Sequence, residues 1–432
     1  GPSEHEKTKL LEALLWAQNV FHETLLKAPF AEKARRYVFE NRGLTRETVT
    51  RFKLGYHPDD RQWLLGKARG QFPAQVLEAA RLVGKSDYGP GYFDHFTDRV
   101  IFPIWNERGH PVAFGGRILP GSTDDRKYWN SPESPVFHKS RLVYALNMAR
   151  DSIRDAKSVV VTEGYTDCIA LHQAGITNVV GTLGTALTDQ HVATLRRFVP
   201  QVVLVFDGDE AGQKAAQRAV ERFLAQDVDL RILTLPDNLD PADFVARHGA
   251  DPFRELANSA QEAWEYKFSA VRLEFGVDSL AGRQRILEEM LGLLSVVPKM
   301  SENVREGMLL ANLSQRLGVP EQQVRDRYRE VRGEAARRTR SPRHDQPRKP
   351  HIEIERLLKG QATPTDRLEL PVLEALCVDP SQVSFLQASL PSELFENRAL
   401  KRLYEIGLAF AAVESASGFE QLLGVIEHPD LN

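Results

Sequence analysis

Cysteine occurs only twice in the 432 residues, as Cys168 and Cys377, in unrelated surroundings. Two isolated thiols exclude a disulfide framework and any zinc site built from paired cysteines. Each reads as a small buried hydrophobe. No apolar run approaches the length of a membrane span, and the start Gly-Pro-Ser-Glu-His has none of the apolar character of a signal peptide. Gly1-Pro2-Ser3 reads as a cloning remnant, and the chain as a cytosolic protein or a piece of one. There is no excess of positive charge either: Lys plus Arg number 56 against 59 Asp plus Glu, a net of −3. Any binding of nucleic acid must therefore come from a local basic patch. The chain does have ample apolar material, 42% of its residues, and a length that accommodates two to four domains.

The pattern changes several times along the chain. Lys7 to about Gly55 has helical periodicity, with Leu11, Leu14, Leu15, Val20 and Phe21 following a helical period and Gly43 as a helix stop. From Tyr56 to about Asn147, short apolar runs such as Arg99–Trp105 and Pro111–Ile118 are broken by turn-forming clusters, which predicts small strands with loops between them. From Ala156 to about Gly249, β-branched runs (158–162, 178–182, 201–206, 230–235) alternate with helical patterns (167–173, 188–198, 211–225). Continuous apolar strands alternating with helices predict a parallel sheet covered on both faces. Residues 258–332 are helical again, with Ile286, Met290, Leu293, Leu294 and Val297 in period. Residues 333–350, six Arg or Lys against two acids and three Pro, predict a basic linker. A further helical module follows from about Ile352. The fold class is α/β, and the expected divisions are 1–155, 156–250, 251–332, 333–351 and 352–432.

Acids gather where the strands of the parallel sheet end. The first strand runs into Glu163-Gly164-Tyr165-Thr166-Asp167, the third into Asp207-Gly208-Asp209, and the fourth is followed by Asp240-Pro241-Ala242-Asp243. Ligands of open parallel sheets bind beyond the carboxyl ends of the strands. Carboxylates crowded there repel one another, and a hard divalent cation such as Mg²⁺ relieves that repulsion while recruiting phosphate oxygens. The chemistry this suits is metal-assisted phosphoryl transfer. Taken singly, each acid reads more simply: an Asp after a strand is commonly a helix cap or a turn residue. That simpler reading is the stronger one for Asp167, Asp240 or Asp243 alone. A strand-terminal Glu-Gly followed two strands later by Asp-x-Asp is far more specific.

This pattern resembles the Toprim domain of bacterial primases, topoisomerases and some nucleases. The strings EGYTDCIALHQAG (163–175), VVGTLGTALT (179–188), VFDGDEAGQKAAQRA (205–219), FGGRIL (114–119) and KYWNSPESPVFHKS (127–140) are similar to those of DnaG-type primases. The resemblance covers nearly the whole chain. It implies a Toprim sheet preceded by an α+β subdomain and followed by helical modules, and an activity of RNA primer synthesis on single-stranded DNA. Glu163, Asp207 and Asp209 would be catalytic. The metal set would be these three with Asp240, Asp167 and Asp243, holding Mg²⁺, with Mn²⁺ able to substitute. The family's usual second acid after the fourth strand falls on Ala242, so Asp243 could replace it only in a reshaped turn.

On the basic side, Gly115-Gly116-Arg117 reads as a tight turn presenting a guanidinium, and the loop 127–139 carries two cations. Arg117, Lys127, Asn130 and Lys139 are expected to bind nucleotide or template phosphate, and Arg42 less strongly. Of the aromatics Tyr128, Trp129, Phe137 and Tyr144, most are expected to pack rather than stack on bases. The family's zinc ribbon has no ligand cluster here, so zinc is not expected. Implied partners are single-stranded DNA, ribonucleoside triphosphates, a replicative helicase bound through an incomplete C-terminal module, and a single-stranded-DNA-binding protein. The competing readings are a Toprim nuclease, a topoisomerase-related enzyme and a non-catalytic helicase tether.

Overall fold

The computed structural model describes residues 3–85, 91–122, 126–184, 187–207, 210–223, 228–295 and 304–340, together with Lys401 and Tyr404. Two compact units are distinguished, 1–336 and 337–432. Cys377 and nearly all of the module predicted at 352–432 lie outside the described residues, of which Lys401 and Tyr404 are helical.

The first unit opens with α1 (Glu4–Lys27), started by a capping box in which Ser3 and Glu6 satisfy each other's backbone. Its buried stripe of Leu10, Leu14, Ala17, Phe21 and Leu25 follows the helical repeat. After α2 (Glu32–Arg36), the chain passes through a π-helical turn, Tyr37–Asn41, and then α3 (Arg46–Arg51). Next come β1 (Gly55–His57), α4 (Trp63–Ala68), α5 (Ala74–Ala79), β2 (Val83–Lys85), β3 (Tyr92–Asp94), β4 (Arg99–Trp105), β5 (Pro111–Ile118) and β6 (Tyr128–Asn130). Strands β1, β4, β5 and β6 form one antiparallel sheet in that order.

Gly115 and Gly116 are not a turn, as expected from the sequence, but lie inside β5, paired with β4 and β6. The reason is close approach. A Cβ at Gly115 would come within 2.9 Å of Asn130 and Tyr165, and one at Gly116 within 2.9 Å of Arg99 and Phe96. Glycine in a strand interior often marks such a contact.

Following α6 (Leu146–Ala156), the chain builds the predicted parallel sheet: β7 (Ser158–Thr162), α7 (Tyr165–Gln173), β8 (Val179–Gly181), α8 (Asp189–Arg196), β9 (Gln201–Phe206), α9 (Glu210–Phe223) and β10 (Asp229–Thr234). Strand order is β8-β7-β9-β10, all parallel. Then come α10 (Pro241–His248), α11 (Ala250–Asn258) and a short antiparallel edge strand β11 (Gln261–Glu262) beside β10. Four further helices follow: α12 (Ala263–Phe275), α13 (Leu280–Ser295), α14 (Val304–Leu317) and α15 (Glu321–Arg340).

The alternation of side chains explains why these strands are apolar throughout. Val160, Val203, Val205 and Leu233 face one core, shared with Tyr37, Phe52, Tyr56 and Phe102 of the N-terminal region. Their neighbours Val159, Val161, Val202, Leu204 and Ile232 face another, shared with Trp264, Phe268, Ile286 and Met290 of the helices. Each such side chain contributes about 1.5–3 kcal/mol by leaving water. The boundary expected near residue 155 is thus crossed by a continuous core.

The basic linker expected from Gly333 is helical as far as Arg340, because α15 continues through it. Ion pairs spaced three or four residues apart support its first half, among them Arg325–Glu321 and Arg329–Asp326, while Arg332 pairs with Glu306. Residues 341–350 lie outside the described residues.

Candidate active site

In the order β8-β7-β9-β10, the chain leaves β7 toward β8 and then crosses back to β9. The switch point is therefore the carboxyl end of β7 beside β9, where ligands of open α/β sheets bind. Glu163 follows β7 directly and is exposed. Its backbone is pinned from both sides: the Thr182 hydroxyl donates to the Glu163 carbonyl (2.8 Å) and the Thr162 hydroxyl to the Gly164 carbonyl (3.0 Å). Asp207 follows β9 and is partly buried. A Cβ at Gly212 would overlap the Asp207 carbonyl, so the start of α9 is packed directly on the backbone of that acid. Asp209 lies outside the described residues.

Asp240 caps α10, its carboxylate accepting the backbone N–H of Asp243 at 2.7 Å. This is the simpler role that the sequence allowed. Its charge nevertheless reaches the sheet end. Burial, followed by the negative charges of Asp240 and Asp207, pushes the Asp167 carboxyl up to about 7, with Arg42 opposing. Asp167, Asp240 and Asp207 therefore converge. Asp243 is exposed in the first turn of α10 and lines a cavity of about 550 Å³ together with Arg42 and Thr166.

Among the described residues no group of three or more His, Cys, Asp or Glu is placed to hold a metal ion. The donor chemistry still fits a hard divalent cation, since carboxylate oxygens are its preferred ligands and the charges of Asp240 and Asp207 add to burial in raising Asp167. The residues expected from the sequence to hold one are Glu163, Asp207, Asp209, Asp240, Asp167 and Asp243, of which Asp209 lies outside the described residues.

The pH dependence of the metal-free protein follows. The folded state holds the Asp167 proton up to about pH 7, whereas an ordinary Asp releases it near 3.8. Between those values the folded state binds more protons than the unfolded chain, so stability falls as pH rises from about 4 to about 7. Asp167→Asn is expected to flatten that slope and to stabilise the chelator-treated protein at pH 8 by about 1–3 kcal/mol. Urea titrations at pH 5 and pH 8 check it; equal slopes in the two proteins would remove Asp167 from the repelling set.

The opposite wall is basic and aromatic. Arg117 at the end of β5 lies 5.1 Å from the Tyr37 ring and 5.2 Å from the Tyr128 ring, measured from its guanidinium carbon. Its buried Nε has no acceptor. Asn130 on β6 donates to the Leu183 carbonyl at 2.8 Å, tying this wall to the loop after β8, while its side-chain oxygen is buried and unpartnered. Lys139 is partly buried, and burial lowers its ammonium below the ordinary lysine range. Its backbone is fixed by Glu133 and His191. Lys127 is exposed beside β6. Arg42 donates from Nε to the Tyr37 hydroxyl at 2.7 Å. Phe137 and Tyr144 are core residues, Trp129 packs on His95 and Phe96, and Tyr128 is the exposed aromatic of the group. Sequence reasoning missed Tyr37 and Tyr165. Tyr37 meets Arg42 and Arg117, Tyr165 packs against Phe102, Tyr128 and Tyr144, and neither belongs to a charge pattern that could have drawn attention to it.

A family profile described as the DNA primase catalytic core, N-terminal domain matches residues 21–150, and a Toprim-like profile matches 160–245. The DNA primase of Pseudomonas aeruginosa is 43% identical over 295 residues, covering 67% of this chain and 44% of that protein. For Escherichia coli DNA primase the values are 36% over 305 residues, covering 69% and 52%. A crystal structure of a DNA primase domain from Pseudomonas aeruginosa superposes with a TM-score of 0.67 at 37% identity, covering 73% of this chain and 98% of that one. This chain belongs to the bacterial DNA primase family. It spans about half the length of the curated primases it matches. A DnaG primase catalytic domain solved bound to single-stranded DNA is 33% identical, with a TM-score of 0.66. The primase profiles cover both walls of the cleft: Arg42, Arg117, Lys127, Asn130 and Lys139 fall within the first, and Glu163, Asp167, Asp207, Asp209, Asp240 and Asp243 within the second. Among the described residues no helix is long and apolar enough to cross a membrane.

Proposed function

We propose that this chain synthesises RNA primers on single-stranded DNA, joining ribonucleoside triphosphates at the cleft between β5–β6 and the end of β7–β9. The observation that carries this reading is the pairing of two chemistries across one continuous core. Carboxylates close enough to perturb Asp167 lie on one side, and Arg117 and Arg42, gathered around Tyr37, lie on the other. A divalent cation, Mg²⁺ or Mn²⁺ in its place, would when bound at the acids favour ionisation of the primer 3′-hydroxyl and neutralise charge on the leaving pyrophosphate. Arg117, Lys127, Lys139 and Arg42 hold triphosphate or template phosphates, and Asn130 fixes the wall that carries them.

A Toprim nuclease would use the same acids for cleavage. The match of the Arg117–Lys139 segment to the primase core profile favours synthesis. The deciding assay supplies a single-stranded template, labelled ribonucleotides and Mg²⁺ or Mn²⁺, and scores both products; cleavage without elongation would overturn the proposal. The reading places the protein in the bacterial cytosol at the replication fork. Contact with a replicative helicase is proposed for the segment beyond residue 351, and a single-stranded-DNA-binding protein is proposed as a further partner.

If the basic wall touches phosphates, Lys127→Ala and Arg117→Ala should each weaken binding of single-stranded DNA or nucleotide. For DNA, each lost contact should flatten the log–log salt dependence by about 0.7. Fluorescence titration of a labelled oligonucleotide over a range of salt measures this. An unchanged slope with unchanged activity would return both residues to ordinary solvated surface.

A further inference from the structure

Arg42 sits at the end of an uncommon piece of backbone. Over Tyr37–Asn41 the helix widens to a π-turn, closed by the Arg42 N–H bonding the Tyr37 carbonyl at 3.0 Å. Such turns are rare, and where they occur they often serve a functional site. This one brings the Arg42 side chain back over the residue that closes the turn. Its Nε donates to the Tyr37 hydroxyl at 2.7 Å, and its guanidinium carbon lies 5.5 Å from the Tyr37 ring centroid. The same ring meets the Arg117 guanidinium, delivered from β5, at 5.1 Å. Tyr37 is thus the shared neighbour of two cations from distant parts of the chain.

Two guanidiniums gathered on one side chain repel each other. The ring offsets part of that through its negative face, and the hydroxyl through a hydrogen bond to a charged donor. The arrangement nonetheless leaves the buried Nε of Arg117 with no acceptor. A pair of planar cations, one with a donor that has no acceptor in the protein, is suited to a multi-oxygen anion, and phosphate is the one that the proposed reaction supplies.

We propose that Tyr37 is a positioning residue that sets Arg42 and Arg117 as a two-guanidinium phosphate clamp, with the π-turn as the device that places it. The proposal takes its ligand from the primer-synthesis reading. The phosphate could belong to the incoming triphosphate or to the template backbone, and the experiment separates the two.

The variants are Tyr37→Phe, Arg42→Ala and the double variant, each in the whole chain. Binding of ATP and of a short oligo(dT) is measured by calorimetry at fixed salt, alongside melting curves and primer synthesis. Tyr37→Phe keeps the ring but loses the bond to Arg42. It is expected to weaken one probe by about fivefold to tenfold, with little change in melting. Loss confined to ATP assigns the clamp to the nucleotide; loss confined to oligo(dT) assigns it to the template. In either case the double variant should bind no more weakly than Arg42→Ala alone, because the hydroxyl acts through that arginine. A purely packing role for Tyr37 would leave Tyr37→Phe within twofold of wild type for both probes, and that result overturns the clamp. So would effects that multiply in the double variant, or failure of the wild-type chain to bind either probe. Tyr37-dependent binding in a chain that makes no primers would refute the primer-synthesis reading and leave the clamp standing. Primer synthesis with a fully active Tyr37→Phe would do the reverse.

Discussion

Asp207→Asn is expected to lower primer synthesis by at least about 100-fold, the loss typical of removing a group that stabilises transition-state charge, with the fold intact. Asp207 follows β9 at the switch point of the sheet, and its charge is one of two that raise Asp167. The substitution removes a carboxylate from a repelling cluster. In the absence of divalent ions the variant should therefore melt no lower than wild type, and Asp167 should titrate lower. Asp209→Ala is expected to behave likewise in activity. Primer yield on a single-stranded template, compared with melting in chelator, tests both halves. A variant keeping more than a few per cent of wild-type synthesis would take that residue out of the reaction.

Gly212→Ala should also be damaging, although it touches no charge. The added methyl would overlap the Asp207 carbonyl, and the other nearest atoms are Asp207 backbone as well, at 3.0 and 3.1 Å. Backbone cannot turn aside as a flexible side chain can, so either α9 or Asp207 must shift. Overpacking of this kind costs about 1–3 kcal/mol, and a shift of about 1 Å in a reacting group can cost on the order of 100-fold in rate. The expected result is a folded protein, somewhat less stable, with activity reduced by more than about tenfold. Gly292→Ala is the control, since a Cβ there meets nothing within 4 Å. Wild-type activity in Gly212→Ala would mean that the packing of α9 on Asp207 does not set the position of that acid.

The first prediction concerns a residue that the sequence marked, and the reason lies in the backbone. Strand ends in a parallel sheet are fixed by alternation of apolar runs with helices, so Glu163 and Asp207 could be placed on adjacent strand ends before any coordinates were known. The basic wall was harder to read. Gly115 and Gly116 suggested a turn by composition, yet they are strand residues because Asn130, Tyr165, Arg99 and Phe96 crowd them from other parts of the chain. Residues 333–340 suggested a linker, yet they continue α15. In each case local composition was overruled by a neighbour or a preceding helix.

The sequence by itself determined the α/β class, the strand and helix order between residues 156 and 249, and the list of acids at the strand ends, because these depend on periodicity along the chain. Its strings also carried the family resemblance. Only the tertiary structure decided which acids feel one another, with Asp167 raised by burial and then by Asp240 and Asp207 while Asp243 stays exposed. It alone decided that one core runs from Tyr56 and Phe102 into Val160 and Val203. It also decided that Tyr37, an unremarked aromatic in a helical stretch, stands between Arg42 and Arg117. These are relations between residues far apart in the chain. Charge repulsion, close packing and cation–π contact depend on distance through space, which no local pattern encodes.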